Sequence, residues 1–220
     1  MENNMKFTEG YWLLSERTNG QFASQAYHIE AMENGLRVVA PTSPVLSRGD
    51  TLNRPTITIE FLAVSPEVIS VRAWHYEGYR TGEARFEKKE TTCDAVVTIT
   101  ENEAVLDAGR VSVHVDRKNW GYSFWADGKL LTSSGFHNLG YVRWDKRVSS
   151  MLPQDNYMKE HEYTPYMTQD LLLAPGENVY GFGERFTAFV KNGQAVETWN
   201  EDGGTASQVA YKNIPFYMTN

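Results

Sequence analysis

Cysteine is almost absent from this 220-residue chain, since Cys93 is the only one. A single cysteine excludes an intrachain disulfide and a cysteine-rich zinc site, and we expect the Cys93 thiol to be inert. The histidines are also few and scattered, without an HExxH motif or a helical pair, so we expect no metal site and no cofactor. They are His28, His75, His114, His137 and His161.

Positive charge is scarce as well. Lysine and arginine together number 21 against 28 aspartates and glutamates, which gives a net charge of −7. Because no lysine or arginine stripe is present, we expect no nucleic acid partner. No apolar run approaches the roughly 18 residues that a membrane span needs. The first dozen residues lack the apolar region of a secretory signal, so we expect a cytoplasmic protein with no membrane partner.

Two common catalytic or cofactor motifs are missing. No serine stands in a G-x-S-x-G sequence, so nothing supports an α/β-hydrolase triad. The segment GFGERF at 181–186 begins like a dinucleotide-binding loop. It lacks the third glycine, carries an acid where a pyrophosphate would be repelled, and has no βαβ unit around it. We therefore reject a dinucleotide site.

The sequence shows the residue pattern of β-strands along almost its whole length. Residues 56–63 alternate, which places Ile57, Ile59, Phe61 and Ala63 on one face. Similar runs occur at 68–74 and 95–100, and at 111–115 three valines share a face while Ser112 and His114 point the other way. No segment has a convincing helical period. The pattern predicts an all-β, antiparallel β-sandwich.

Three dipeptides predict tight hairpin turns because asparagine, aspartate and glycine tolerate positive φ. They are Asn34-Gly35, Asp127-Gly128 and Asn192-Gly193, each between two strand-like runs. Two stretches are irregular. The mixed-charge run at 80–94 predicts a solvated loop or edge strand, and 145–165 predicts a long excursion between strands. No repeat or composition break divides the chain, so we expect one domain over 1–220.

The acidic loop ETWNEDGG at 197–204 is the candidate site. Carboxylates and an amide near the indole of Trp199 suit a sugar, whose hydroxyls need acceptors and donors and whose C–H face packs on an aromatic ring. The alternative is an ordinary hairpin tip with a solvated acid pair, and composition alone favours it. Glu201 and Asp202 are adjacent, so in a strand they would point to opposite faces and could not act as a paired-carboxylate catalyst.

A resemblance supports the sugar interpretation. The segments VYGFGERFTAFVKNGQAVETWN and EDGGTASQVAYKNIPFYMTN, which cover 179–220, resemble the N-terminal domain of family 31 glycoside hydrolases, most closely the α-xylosidase branch. GYWLL, PTITIEFL, VISVRAWHYEG and the hairpin at 120–130 fit the family's strands less specifically. The resemblance implies a galactose-mutarotase-like sandwich, followed by a (β/α)8 barrel that carries both catalytic aspartates.

Several further expectations come only from that resemblance. No catalytic residue lies in 1–220, and the chain alone would be inactive. One loop would reach the barrel's active-site mouth, where Asp202 would bind an α-linked xyloside or glucoside, Trp199 and Asn200 would hold the loop, and Glu201 would face solvent. The chain's own downstream barrel would be its partner, and the full enzyme is expected to form homo-oligomers. A shortened sandwich would leave the strand at 214–219 without a mate, to pair with another copy or be poorly ordered.

Two other functions remain open. One is a free-standing carbohydrate-binding module that uses exposed aromatic residues such as Trp120, Trp125 or Trp144, although burial of these tryptophans in the core is the simpler expectation. The other, with less support, is an aldose mutarotase. That enzyme would need a histidine and a carboxylate facing each other in one cleft, and no local pair in the sequence suggests one.

Overall fold

The computed structural model describes residues 7–10, 12–52, 54–78, 93–145, 163–201, 203 and 209–220. Its strands in chain order are β1 (Thr8–Glu9), β2 (Leu13–Leu14), β3 (Thr18–Phe22), β4 (His28–Met32), β5 (Gly35–Pro41), β6 (Thr56–Ser65), β7 (Val68–Trp74), β8 (Val96–Ile99), β9 (Glu103–Asp107), β10 (Val111–Asp116), β11 (Gly121–Ala126), β12 (Lys129–Asp145), β13 (Tyr163–Leu171), β14 (Val179–Gly181) and β15 (Tyr217–Thr219). The helical structure within these ranges is one 3-10 turn, Arg48–Thr51. The predicted all-β class is confirmed.

The chain divides into two compact units, which are described separately. The larger is Glu16–Leu172 and the smaller combines Met1–Ser15 with Leu173–Asn220. In its described part, the larger unit holds a four-stranded antiparallel sheet in the order β4-β5-β6-β7. It also holds a seven-stranded sheet in the order β13-β12-β11-β10-β9-β8, with β3 as a further partner of β12.

The two sheets of the larger unit pack face to face. β5 and β6 of one sheet contact β9 of the other, and alternate residues of each strand fill the space between them. Ile57, Ile59 and Phe61 are fully buried, and the Phe61 ring lies 5.5 Å from that of Tyr122 on the opposite sheet. Burial of every second residue is what a sandwich requires. The alternation predicted for 56–63 is confirmed.

One exception to the alternation is Glu60, a carboxylate that is also buried. It lies directly opposite Arg37 on β5, whose guanidinium donates to it at 2.6 and 2.8 Å. The same guanidinium donates to Glu30 on β4 at 2.7 Å. The ion pair across three strands compensates the burial of the Glu60 charge, since an unpaired buried charge is costly.

Two of the three predicted hairpins are confirmed. Asn34 has φ 53° between β4 and β5, and Asp127 and Gly128 have φ 49° and 75° between β11 and β12. The prediction for Asn192-Gly193 is wrong, because these residues form a turn without flanking strands. The Asn192 amide instead accepts from the Val179 N–H at 2.8 Å and donates to the Glu177 carbonyl at 2.9 Å.

The prediction of an unpaired strand near residue 219 is also wrong. β15 pairs antiparallel with β14, in the register Val179↔Thr219 and Gly181↔Tyr217. The partner strand comes from upstream in the chain, about 40 residues away, which a local pattern cannot reveal. The predicted irregular stretches fall mostly at 79–92 and 146–162, outside the described residues. Cys93, at the end of the first, is buried, and its thiol donates to the Ala108 carbonyl at 3.3 Å.

Candidate functional site

The frame of the candidate site is a close pairing of two backbone segments in the smaller unit. Beyond the β14–β15 pair, the Phe182 N–H donates to the Phe216 carbonyl at 2.7 Å and the Glu184 N–H donates to the Lys212 carbonyl at 3.1 Å. Gly183 has φ +85°, and a Cβ there would lie 2.3 Å from the Lys212 carbonyl oxygen. Only glycine allows this approach. The glycines of GFGERF thus serve backbone packing.

Asn213 joins this frame to the predicted loop. Its amide nitrogen donates to the carbonyls of Trp199 and Ala210, each at 2.6 Å, and to Asn200 Oδ1 at 3.1 Å. Its backbone N–H also donates to Asn200 Oδ1, at 3.0 Å. The Glu201 N–H donates to the Ala210 carbonyl at 3.0 Å. Residues 199–201 are therefore held by side-chain and backbone hydrogen bonds.

Arg185 is the charged member of the same network. Its Nε donates to the Phe182 carbonyl at 3.1 Å, and its guanidinium also donates to the Glu197 carbonyl and to Asn213 Oδ1. Burial lowers the pKa of Arg185 below its usual value, and the nearby Glu197 charge opposes that change. At neutral pH the group stays a cation, since the ordinary pKa of arginine is above about 12.

A cleft of about 230 Å³ opens beside this network. Its lining includes Arg185, Gln194, Trp199 and two acidic residues, Glu197 and Glu201. Trp199 is 75% exposed, so its ring is available to a ligand. Donors, acceptors and an aromatic face in one open cleft are able to contact a polyhydroxylated molecule.

The residues of the predicted site lie in different surroundings. Asn200 anchors the loop through its side-chain oxygen, and Trp199 lines the cleft while its carbonyl accepts from Asn213. Glu201 is exposed, as the solvent-facing prediction requires. Asp202 lies outside the described residues. Sequence reasoning missed Arg185 and Asn213, because their partners lie 12 to 28 residues away and no local spacing marks them.

The described residues contain no group of three histidine, cysteine, aspartate or glutamate side chains arranged to hold a metal ion. Over the same residues, no helix has the length and apolar character needed to cross a membrane.

The chain belongs to the glycosyl hydrolase 31 N-terminal galactose mutarotase-like domain family, whose model matches residues 57–220. It is similar to two curated α-xylosidases along almost its whole length. α-Xylosidase XylQ of Lactiplantibacillus pentosus is 38% identical over 98% of the chain, and an α-xylosidase of Emericella nidulans is 33% identical over 98%. The chain spans 26% and 28% of these relatives, about a quarter of their length. The predicted family is confirmed.

Solved structures share the fold at low sequence identity. The cycloalternan-forming enzyme from Listeria monocytogenes, solved with a pentasaccharide substrate, matches with a TM-score of 0.64 and 15% identity over 92% of this chain and 17% of that one. A family 31 dextranase from Flavobacterium johnsoniae matches with a TM-score of 0.54 and 18% identity over 91% of this chain and 21% of that one. These likenesses confirm the galactose-mutarotase-like fold.

Proposed function

We propose that residues 1–220 are the N-terminal accessory domain of a retaining α-glycosidase that removes terminal α-linked xylose. The observation that carries the proposal is the similarity of 98% of the chain to two α-xylosidases at 38% and 33% identity. Identity at that level along the whole chain supports a shared role better than a shared fold does, since one fold hosts many functions.

In this proposal, the chemical steps belong to a catalytic barrel in the same polypeptide. One barrel aspartate attacks the anomeric carbon to form a covalent glycosyl intermediate, and a second protonates the leaving oxygen and later activates water. Residues 1–220 contribute no catalytic group, so the chain alone hydrolyses nothing. Their contribution is to the shape and polarity of the pocket that binds the non-reducing sugar.

The loop at 197–204 makes that contribution through Asp202. A carboxylate accepts hydrogen bonds from sugar hydroxyls and orients the ring for attack. The anchoring of Trp199 and Asn200 by Asn213 supports the proposal, because a residue that positions a substrate must itself be held by its neighbours. The exposed Trp199 ring supplies an aromatic face on the same loop.

Replacement of Asp202 in the full-length enzyme tests this assignment. We expect Asp202→Ala and Asp202→Asn to lower kcat/KM for an aryl α-xyloside by about ten- to hundredfold, equivalent to about 1 to 3 kcal/mol of transition-state binding. Glu101→Gln is the control, since it removes an exposed charge that does not line the cleft and should leave kcat/KM near the wild-type value. An unchanged kcat/KM in both Asp202 variants would remove Asp202 from the substrate pocket.

The smaller unit also offers a surface for the barrel. Phe186, Phe189, Tyr211 and Phe216 are 59%, 79%, 66% and 58% exposed. Exposed aromatic side chains concentrated in one short unit mark an interaction surface. We assign this surface, called here the aromatic surface, to packing on the enzyme's own barrel.

The alternative of a free-standing module that uses Trp120, Trp125 and Trp144 has little support. Trp120 is buried and its indole N–H donates to Asn138 Oδ1 at 3.0 Å, so it is a core residue. The Arg17 guanidinium lies over the Trp144 ring, 5.5 Å from its centroid. Trp125 borders a cleft in the larger unit.

A further inference from the structure

A second cleft lies in the larger unit, on the outer face of its seven-stranded sheet. It has a volume of about 280 Å³ and is formed by the β9–β10 turn and the β11–β12 turn. We call it the Trp125 cleft. Its lining is Asp107, Arg110, Ser112, His114, Trp125 and Asp127, together with short stretches of turn backbone.

The strand register explains why these side chains meet. Ser112 on β10 lies directly opposite Trp125 on β11, and His114 lies opposite Ser123. Val113 and Val115 between them are fully buried in the core, so Ser112 and His114 point outward. The β-sheet itself therefore presents a row of polar side chains beside an indole on one face.

Hydrogen bonds fix the orientation of this row. His114 Nδ1 lies 2.8 Å from Glu103 Oε1, and an ionised carboxylate only accepts, so Nδ1 carries the proton. His114 Nε2 then accepts from the Ser112 hydroxyl at 3.2 Å, which leaves the Ser112 oxygen as an acceptor towards the cleft. The Trp125 Nε1–H donates to Ser123 Oγ at 2.8 Å, and the ring is fixed against His114 at 5.6 Å.

The charges at the cleft disfavour an anion. Arg110 is paired with both Glu67, at 2.7 Å, and Asp127, at 3.2 Å, so its charge is more than neutralised by the two carboxylates. Asp107 adds another carboxylate, whose Oδ1 accepts from the Gly109 N–H at 2.8 Å. Several fixed acceptors around an aromatic ring suit a neutral molecule that brings hydroxyl donors and an apolar C–H face.

We propose that the Trp125 cleft is a saccharide-binding site for a neutral mono- or oligosaccharide. The Trp125 ring packs on the sugar's C–H face, and Asp107, Asp127 and Ser112 accept from its hydroxyls. The site does not depend on the Asp202 assignment, because it is built from different residues in a different unit.

The test is an NMR titration of the isotope-labelled 220-residue chain with xylose, maltotriose and isomaltotriose. We expect saturable shifts at the Trp125 indole N–H and at the amides of Arg110, Ser112 and Gly128, with Kd values on the order of 1 to 10 mM. Trp125→Ala should weaken binding at least about tenfold, because the ring supplies most of the contact area. Ser112→Ala, which keeps the core face intact, should weaken it about threefold, the loss of one hydrogen bond.

Matched controls separate a local effect from a general one. Trp74→Ala removes a half-buried tryptophan of the other sheet, and Thr98→Ala removes a hydroxyl from the same outer face away from the cleft. Neither should change the affinity. No saturable shift at about 100 mM of any of the sugars, or unchanged binding in both Trp125→Ala and Ser112→Ala, would overturn the proposal. Chemical shift changes confined to residues 197–201 would also overturn the proposal, and they would support the site in the smaller unit.

Discussion

Asn213 connects three separate parts of the smaller unit through one amide group. It donates to the carbonyls of Trp199 and Ala210 and accepts from Arg185. A loop with few backbone partners of its own depends on such side chains for a defined conformation. The position of the loop at 197–201 is thus decided by a residue that lies outside it.

Tyr122 likewise connects separate parts of the larger unit through its hydroxyl. Its hydroxyl donates to the Asn138 carbonyl at 3.1 Å and accepts from Gln169 Nε2 at 3.0 Å. Burial raises the pKa of Tyr122 to about 12, while the hydrogen bond from Gln169 acts in the opposite direction. The charged phenolate is disfavoured because it would lie in the apolar space between the sheets.

The raised pKa of Tyr122 predicts a loss of stability at alkaline pH. In the unfolded chain the phenol loses its proton near the ordinary pKa of about 10, whereas in the folded chain it keeps the proton up to about pH 12. The free energy of unfolding is therefore unaffected below about pH 10 and decreases as the pH rises from about 10 to about 12. We expect a loss of about 1 kcal/mol of unfolding free energy between about pH 9 and about pH 11. Urea unfolding at about pH 9 and about pH 11 measures it.

Tyr122→Phe is the variant that isolates this effect. It should cost about 1 kcal/mol at neutral pH through the lost hydrogen bonds, and should be less sensitive to the rise in pH. Tyr76→Phe, at a tyrosine that is 85% exposed, is the control and should behave as the wild type. If the wild type and Tyr122→Phe lost equal amounts of unfolding free energy at alkaline pH, Tyr122 would not be the cause of the loss.

Among the elements, β12 organises the larger sheet. Its first residues pair with β11, and residues 140–144 pair with β13 on one side and β3 on the other. The register shifts between Ser134 and Leu139, where the pairing to β13 is interrupted. A bulge of this kind lets one long strand change partners without ending.

Gly140 makes the crowded part of β12 possible, and its replacement is a specific test. A Cβ at this position would lie 2.6 Å from Phe22 Cδ1 and 2.7 Å from Thr168 Oγ1, on the two flanking strands. We expect Gly140→Ala to lower the free energy of unfolding by about 1 to 3 kcal/mol because of this overpacking. Chemical denaturation measures the change.

The control for Gly140 is Gly49→Ala in the 3-10 turn. The nearest atom to a Cβ at Gly49 is Ser47 Oγ at 3.8 Å, an ordinary contact. This variant should be neutral or slightly stabilising, since alanine reduces the entropy of the unfolded chain. If Gly140→Ala proved as stable as Gly49→Ala, the strands around Gly140 would have to be further apart than described.

At the scale of the whole molecule, the larger unit contains a sheet-on-sheet core, and the smaller unit exposes many of its apolar side chains. The core of the larger unit is built from alternate residues of β5, β6, β9 and β10. Among the described residues of the smaller unit, Ala210 is the one buried apolar residue, and polar side chains make many of the hydrogen bonds. This contrast fits one unit that is stable by its own packing and another that has a surface for a partner.

The aromatic surface predicts a difference between the chain and the longer enzyme that we propose. Phe189 is 79% exposed here, so Phe189→Ser should leave the thermal midpoint of the 220-residue chain nearly unchanged. In the full-length enzyme it should destabilise the packing of the domain on the barrel by about 2 kcal/mol, the value of burying a phenylalanine. Calorimetry of both proteins measures the difference.

Leu46→Ser provides the matched control for Phe189. Leu46 is 89% exposed and belongs to the larger unit, outside the aromatic surface. Leu46→Ser should have little effect on the thermal midpoint of either protein. Equal behaviour of Phe189→Ser and Leu46→Ser in the full-length enzyme would mean that Phe189 stays exposed there, and the aromatic surface would lose its assignment to the barrel.

The sequence alone determined the features that are local. Alternation at 56–63 fixed which side chains of β6 face the core, because successive residues of a strand point to opposite faces. Asn34-Gly35 and Asp127-Gly128 predicted two turns, because few residues tolerate positive φ. The long motif at 179–220 predicted the family, while the roles of Trp199, Asn200 and Asp202 in a sugar site stay predictions.

Only the tertiary structure decided the features that join distant residues. The pairing of β14 with β15, the hydrogen bonds of Arg185 and Asn213, and the Trp125 cleft each bring together residues that no local spacing relates. The Asn192-Gly193 turn has the composition of a hairpin, yet its amide binds the backbone at Val179 and Glu177 instead. Local backbone preferences set what a segment is able to form, and the packing of the whole chain selects its partners.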